Sequence, residues 1–334
     1  MRRILFISNF RRGVGGISAQ IDLLCSHLRN EGYEVAIFST KGSIVRRVFK
    51  FFELIFAARR YDVLHIHGCS DWGMLPVVYG VIAGKIWRKR VIVTYHGGGA
   101  DHYLQKHGVF ARRWLKRADK VIVLNGYLEN VFGRYDIPCV TIPNIVTLKE
   151  DVYAPKMSMA QKIISIRHLT ELYRIDLIIK AYEKVLAHYP EATLDILGQG
   201  DKREELEQYV QAHQLTGVRF VGQVPNEQIY DYLRANDIML SAPTIDNMPV
   251  SLLEAMNAGV LVISSNVGGV PFMIENGRTG LLFESGDAEA MAEQIEWALE
   301  HQEECAKMIS AAHEEVKKYS WGNIREALLP LYAE

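Results

Sequence analysis

In the stretch DNMPVSLLEAMNAG, residues 246–259, two carboxylates, Asp246 and Glu254, stand eight residues apart in what otherwise reads as a short buried helix. Pro249 suits the first helical turn, Asn247 or Asp246 the cap and Gly259 the stop, so a helix is expected over about 249–258. Helical side chains lean toward the N-terminus, and Glu254 lies about 7.5 Å along the axis from Pro249 at 1.5 Å per residue. Both carboxylates can therefore face one ligand and accept hydrogen bonds from its hydroxyls. The amides and dipole of the first turn attract an anionic group between them. Hydroxyls at both ends and a diphosphate in the middle describe a nucleotide sugar.

Other residues able to handle phosphate or sugar stand at the ends of apolar runs. Arg167, late in QKIISIRHL, is followed by Tyr173 and Arg174 just before a helix. Its guanidinium either clamps phosphate oxygens bidentately or makes a surface salt bridge. LDILGQGD ends in a Gly-x-Gly turn beginning at Gly198, suited to backbone contact with a flat base. GVGGIS (13–18) puts Gly15 and Gly16 at the mouth of a helix, where either phosphate contact or a tight turn explains the glycines. A nicotinamide fingerprint would need Gly where Ser18 stands and an acid where Ser39 and Thr40 stand. His96, in YHGGGAD, closes another run in front of three glycines and is assigned a functional part. His65 and His67 alternate on one strand face and read as structural, His67 being nearer the ligand end. Cys25, Cys69, Cys139 and Cys305 lack CxxC spacing and read as reduced core residues, not as metal ligands or disulfides.

Such residues need a scaffold that gathers strand ends. RRILFIS, EVAIFST, DVLHIHG, RVIVTYH, KVIVLN and VTIPN are interleaved with helical periodicity such as 17–30, which implies a parallel sheet covered on both faces. After Asn144 the polar, aperiodic IVTLKEDVYAPKMSMAQ reads as an interdomain linker. A second series runs QKIISIRHL, helix 175–188, ATLDILG, helix 201–213, VRFVGQV, helix 226–235, DIMLSAP, the 249–258 helix, VLVISSN and TGLLFE. Long helices at about 287–318 and 323–333 close the sequence. The expected fold class is α/β: two Rossmann-like, doubly wound parallel-sheet domains, 1–150 and 156–319, facing across a cleft where ligands collect at the carboxyl ends of the strands.

The bulk numbers agree with two globular domains: 334 residues, 49% hydrophobic and 23% charged. No apolar run has the length of a membrane span and MRR leads straight into ILFIS, so a cytoplasmic location is expected. The net charge of -1 hides an asymmetry, because residues 1–151 carry 23 Lys and Arg against 12 Asp and Glu, or +11, which leaves -12 for the rest. A basic half suits nucleic acid, an anionic membrane surface or a phosphorylated ligand, and no nucleic-acid-binding motif favours the first.

Taken together, GVGG, DVLHIH, VTYHGGG, the Arg167 segment, LDILGQG, VRFVGQV, the two acids eight residues apart with EAMNAG starting at the second, and NVGG followed by NGRTGLLF cover nearly the whole chain. In this set the sequence resembles the family-4 retaining glycosyltransferases of the GT-B fold. The resemblance implies transfer from a nucleotide-diphosphate sugar with retention and without a metal or other cofactor. It assigns Asp246 to the donor sugar, Glu254 to the ribose, Arg167 to the diphosphate, His96 to the reaction centre and Gly16, with Gly15, to the phosphate approach. Tyr173, Arg174, Gly198, Val224, Asn247, Met248 and Val250 complete the donor contacts it implies. Two positions depart from the family pattern: Asp246 replaces a Glu, and Tyr173 replaces a phosphate-binding Lys, leaving Arg174 or a base of the first domain to supply that charge. The final helix, 320–334, is expected to pack back on the first domain.

Residues 43–60, SIVRRVFKFFELIFAARR, interleave Arg46, Arg47, Lys50, Arg59 and Arg60 with aromatic and aliphatic residues. They read either as a core helix with a basic solvent face or as a helix docking on an anionic membrane, and with KIWRKR and FARRWLKR nearby the second is preferred. The expected acceptor is a glycan or lipid-linked glycan in cell-surface polysaccharide or glycolipid assembly, met at the inner face of the plasma membrane. Two other readings fit the same motifs: an epimerase acting on the nucleotide sugar, and a non-catalytic protein that binds one.

Overall fold

The computed structural model describes residues 2–11, 16–153 and 159–333. The chain divides into two compact units, residues 1–145 with 319–334, and residues 146–318. In the first unit β1 (Arg3–Ser8), β2 (Glu34–Ser39), β3 (Val63–Gly68), β4 (Arg90–Tyr95), β5 (Lys120–Val123) and β6 (Val140–Thr141) form a parallel sheet in the order β2-β1-β3-β4-β5-β6. Helices α1 (Gly16–Asn30), α2 (Ile44–Ala58), α3 (Leu75–Trp87), α4 (Ala100–Leu115) and α5 (Gly126–Arg134) connect the strands.

Side-chain alternation splits the core of this unit into two layers. Ile4 and Phe6 of β1 join Val63, Ile92 and Ile122 in a cluster with Ile21, Leu24 and Leu28 of α1. Leu5 and Ile7 turn the other way, into a cluster with Leu54 of α2 and Val77 and Val81 of α3. The first layer is completed by Ile324, Leu328, Leu331 and Tyr332, which come from the last helix of the chain, Trp321–Ala333. Arg90 Nε donates to Leu331 O at 2.6 Å and Arg2 donates to Tyr332 O, so the polypeptide's two ends meet in this unit.

The second unit holds β7 (Lys162–Ile166), β8 (Thr193–Leu197), β9 (Val218–Gly222), β10 (Ile238–Ser241), β11 (Leu261–Ser265) and β12 (Leu281–Phe283), in the order β12-β11-β10-β7-β8-β9, all parallel. Its helices are α6 (Ile175–His188), α7 (Arg203–Ala212), α8 (Ile229–Ala235), α9 (Val250–Ala258), α10 (Ala288–Glu300) and α11 (Gln302–Val316), after which Trp321–Ala333 is α12. The chain progresses outward from β7 to β9 and then returns to the other side of β7 with β10. That reversal places the loops after β7 and β10 side by side at the carboxyl end of the sheet, the usual ligand position in an open α/β sheet.

Several boundaries differ from the sequence reading. The expected linker lies in the second unit from its second residue, Val146, onward, and only Ile145 belongs to the first. Val146 and Val152 are buried there, Tyr230 donates to Thr147 O at 3.0 Å, and the Tyr153 ring stacks on His313 at 3.8 Å. These anchors are spaced without helical or strand period, which is why the segment looked loose. The single helix expected over 287–318 is two, α10 and α11, because His301 leaves helical geometry at φ -113 and caps α10 through Trp297 O.

No helix among the described residues is long and apolar enough to cross a membrane. Helix α2 buries only a narrow stripe, including Leu54 and Ala58. Val45, Phe49 and Phe56 are 68%, 64% and 72% exposed, with Val48 and Phe52 beside them, and Ser43 caps the helix by accepting from Arg46 N.

Candidate functional site

The switch point of the second unit gathers the residues picked out at the start. Arg167, just past β7, is half-buried, its side chain 9% exposed, and donates from Nε and Nη2 to Ser241 Oγ at the end of β10, at 3.2 and 3.0 Å. Its Nη2 lies 3.3 Å from Asp246 Oδ2 in an ion pair that is not a hydrogen bond, so Oδ2, although buried, has no hydrogen-bond donor among the described residues. Asp246 Oδ1 accepts from Asn247 N at 2.8 Å. The Tyr173 ring lies under the Arg167 guanidinium at 5.3 Å and also packs against the apolar core. Arg167 is thus held by neighbours on three sides, and its ion pair with Asp246 is largely shielded from solvent.

The loops carrying this pair are pinned through their backbones. Arg167 N donates to Leu197 O and Leu169 N to Gln199 O, both at 3.0 Å. A Cβ on Gly198 would lie 2.0 Å from Arg167 O, so only glycine permits the approach of the two strand ends. Gly268, at φ +53, likewise lets Gly269 N reach Asp246 O at 3.0 Å. Val224, after β9, is half-buried in the same unit.

Helix α9 begins at Val250, with Pro249 as its extended N-cap and no side-chain cap bond, and ends at Gly259 in the left-handed region, φ 76. The N-cap position is that of Pro249, not of Asp246 or Asn247. Asp246 is instead turned to Arg167 and to its neighbour's amide, next to the N-terminus of α9, and a helix N-terminus favours an anion. Asn247 and Met248 are buried at this mouth and Val250 is half-buried. Glu254, one turn into the helix, makes no hydrogen bond or ion pair among the described residues. Burial pushes its carboxyl up to about 7, and the positive charges of Lys149 and Arg167 oppose that rise.

Two neighbours of Glu254 carried no sequence signal. Lys149, from the presumed linker, places Nζ 4.7 Å from the ring centre of Tyr230, and Tyr230 OH accepts from Asn257 Nδ2 of α9 at 3.4 Å. Ser241 was legible in principle: β10 pairs with β7 through Ile238–Ile163 and Met239–Ile164, and continuing that register sets it beside the strand end of Arg167. Arg174, named as a second phosphate cation, is held in a two-point pair with Asp176, Nε to Oδ1 at 2.9 Å and Nη2 to Oδ2 at 3.0 Å. It stands at φ 47 ahead of α6 and is separate from the Arg167 cluster in its bonding.

In the first unit Gly16 opens α1 with open space where a Cβ would sit, and Gly15 lies outside the described residues. His96 follows β4, its amide donating to Gly68 O at 2.9 Å, and its Nε2 lies 2.8 Å from His67 Nδ1 with the rings stacked. His65, one pleat back, bonds Tyr332 OH at 2.7 Å and Thr94 Oγ1 at 2.8 Å. Burial drives all three imidazoles toward the neutral form, His65 down to about 3 and His96 to about 4, with His67 well below its ordinary value. The three rings line a small pocket in this unit together with Gln20, Asn144 and Leu328. His67, read from the sequence as structural, is bonded directly to His96.

Two doubly wound parallel-sheet units, each of six strands, are the architecture of the GT-B fold. The family model described as Glycosyl transferases group 1 matches residues 153–315, and that of Glycosyltransferase Family 4 matches residues 42–150. The chain is 27% identical over 302 residues to the N-acetyl-alpha-D-glucosaminyl L-malate synthase of Bacillus anthracis, covering 85% of this chain and 74% of that protein. It is 24% identical over 369 residues to the phosphatidyl-myo-inositol mannosyltransferase of Mycolicibacterium smegmatis, covering 95% and 90%. In fold it resembles Anabaena Alr3699/HepE, solved in complex with UDP and glucose, at a TM-score of 0.81 and 19% identity over the full length of both chains. Sucrose-phosphate synthase from Thermosynechococcus elongatus gives a TM-score of 0.82 at 20% identity, covering 100% of this chain and 98% of that one. The protein belongs to the glycosyl transferases group 1 and is a glycosyltransferase.

Proposed function

We propose that the protein transfers a hexose from a nucleoside-diphosphate sugar, with retention and without a metal, to a lipid-linked glycan or glycolipid acceptor in cell-surface assembly. The observation that carries this reading is the Arg167–Asp246 pair beside the N-terminus of α9, with Glu254 one turn further in. Arg167 and the α9 amides take the diphosphate, Glu254 the ribose hydroxyls, Asp246 and His96 the sugar, and the Gly198 loop the base. Gly16, with Gly15, lies on the phosphate side; Val224, Asn247, Met248 and Val250 shape the walls. Tyr173 holds Arg167 in place by stacking, and Arg174, bound to Asp176, supplies charge at longer range.

As the bond from the anomeric carbon to the diphosphate oxygen breaks, negative charge builds on the leaving group. Fixed positive charge and aligned amides stabilise it without having to reorganise. The acceptor hydroxyl adds on the same face and its proton passes to the departing diphosphate. Relatives that act on phosphatidylinositol support a membrane-borne acceptor. So does α2, whose apolar face is turned to solvent and flanked by Arg46, Arg47 and Lys50, the make-up of a helix lying on an anionic leaflet at the inner face of the plasma membrane.

The test is a thermal-shift screen with UDP, GDP and their hexose conjugates, followed by product analysis. One nucleoside diphosphate should stabilise the protein in proportion to RT ln(1 + [L]/Kd). Its sugar conjugate should yield a glycoside of unchanged anomeric configuration in the presence of chelator. Conversion of the nucleotide sugar to its epimer without acceptor would establish the epimerase instead. No stabilisation by any of them would remove the donor site.

A further inference from the structure

We propose that Lys149 is a positioning residue for Glu254: it is the counter-charge that lets the carboxylate, and not the neutral acid, meet the ribose hydroxyls of the donor. This rests on the assignment of Glu254 to the ribose. All the groups concerned lie in the second unit.

The arrangement starts from the irregular segment that opens this unit at Val146. Tyr230, on α8, donates to Thr147 O at 3.0 Å and accepts from Asn257 Nδ2 of α9 at 3.4 Å, so one phenol ties that segment to the helix. Two residues past Thr147, Lys149 lays its ammonium over the same ring, Nζ 4.7 Å from the centroid. Asn257 and Glu254 are three apart on α9 and so share a face. The Tyr230 ring is thereby a platform that brings a lysine from a stretch without secondary structure to the side of the helix that carries Glu254.

Both charges are half-buried. Lys149 makes no ion pair, and Glu254 no ion pair or hydrogen bond, among the described residues. Arg167, the other cation that acts on Glu254, is shared with Asp246 and donates twice to Ser241. Tyr230 is kept neutral by burial, and from α11 His313 turns its Nδ1 to Asn257 O and its ring to Tyr153. A carboxylate withdrawn from water without donors of its own stays ionised only beside a positive charge. Lys149 opposes the burial of Glu254 more strongly than Arg167 does. Because the lysine and the carboxylate do not pair, the cation leaves both oxygens to hydroxyl donors, which the ionised group accepts at each and the acid would meet with a proton of its own.

The experiment uses the full chain and two readouts. In a sample carrying carbon-13 at the glutamate carboxyls, the Glu254 signal is identified by its loss in Glu254→Gln. Its titration midpoint is expected at about 7 in the wild type. It should move about one pH unit higher in Lys149→Met and return in Lys149→Arg. In calorimetric titration with UDP or GDP, whichever the wild type binds, Lys149→Met should bind about fivefold more weakly at pH 7, where such a rise leaves about a tenth of the carboxyl ionised against about half. At pH 9, where both proteins are ionised, the gap should close to within about twofold. In the Glu254→Gln background the same change should cost less than about twofold at either pH. An unmoved midpoint in Lys149→Met overturns the inference. So does a loss that is equal at pH 7 and pH 9, which would make Lys149 a direct contact of the nucleotide. If Glu254→Gln binds the nucleotide as tightly as the wild type, the assignment of Glu254 to the ribose fails, while the titration midpoint still shows whether Lys149 is its counter-charge.

Discussion

Glu254→Gln should have two opposite effects, and the structure gives a size for each. Burial lifts the Glu254 carboxyl from 4.5 to about 7, so its charge is disfavoured in the fold. The sign is that of an acid with a raised value: the folded state holds the proton more tightly, and stability of the free protein falls as pH rises from 4.5 through about 7. At about 1.4 kcal/mol per pH unit, the ceiling on that loss is about 3 kcal/mol, reduced because the side chain is not fully shielded. Gln carries no charge to bury. The ligand-free variant should therefore melt above the wild type at pH 8, by roughly 2–4 °C for each kcal/mol recovered, and no higher at pH 4.5. Ribose hydroxyls, in contrast, donate better to a carboxylate than to an amide. Losing a charge-assisted bond of about 1.5–3 kcal/mol weakens nucleoside-diphosphate binding about 10- to 150-fold at pH 8. At pH 6 the wild type is itself largely protonated, and the gap should shrink by about tenfold. Calorimetric titration at both pH values, with melting curves on the same samples, reads all of this. Equal affinities at pH 8, or a variant less stable than wild type there, would show that Glu254 serves the fold and not the ligand.

Arg167→Ala should weaken the free nucleoside diphosphate and the full donor alike, by about 10- to 100-fold in titration; an effect on the sugar conjugate alone would displace Arg167 from the phosphates. Asp246→Asn should leave diphosphate affinity within about threefold and lower turnover or alter sugar choice, and normal turnover with normal selectivity would remove Asp246 from the sugar. Tyr173→Lys should raise diphosphate affinity severalfold while lowering the melting temperature, because it adds a cation at the site but removes the ring under Arg167; unchanged affinity would mean that the cations already present suffice. In flotation with anionic vesicles at low salt, the wild type should bind and Arg46→Glu/Arg47→Glu/Lys50→Glu should not; a wild type that stays unbound would favour an acceptor in solution.

The parts of the molecule governed by short-range pattern were legible from the residues. Strands buried on both faces announce themselves as unbroken apolar runs, and all of β1, β4, β7, β10 and β11 were read from such runs. Proline and glycine bracketed α9 correctly because each constrains its own backbone. What escaped depends on side chains meeting across the sheet. Whether Asp246 caps a helix or turns to an arginine is settled by Arg167, nearly 80 residues away, and a local preference for capping cannot weigh that. The His67–His96 bond needed the pairing of β3 with β4, which the alternation in DVLHIHG does not contain. Lys149 reaches Tyr230 from a segment with no periodicity at all.

Helix α12 gives the molecule an unusual order of assembly. The second unit is continuous in the chain, whereas the first is interrupted and closes only when residues 319–334 arrive. On a ribosome adding about 5–20 residues per second, the face of the first sheet built from Ile4, Phe6, Ile92 and Ile122 waits on the order of ten seconds or more after β6 is made before Ile324, Leu328 and Tyr332 can cover it. During that interval the later-made half can fold first, and His65 has yet to meet the tyrosine that fixes the histidine row. The row of histidines in the first unit is therefore set in place only after the whole of the second unit has been made.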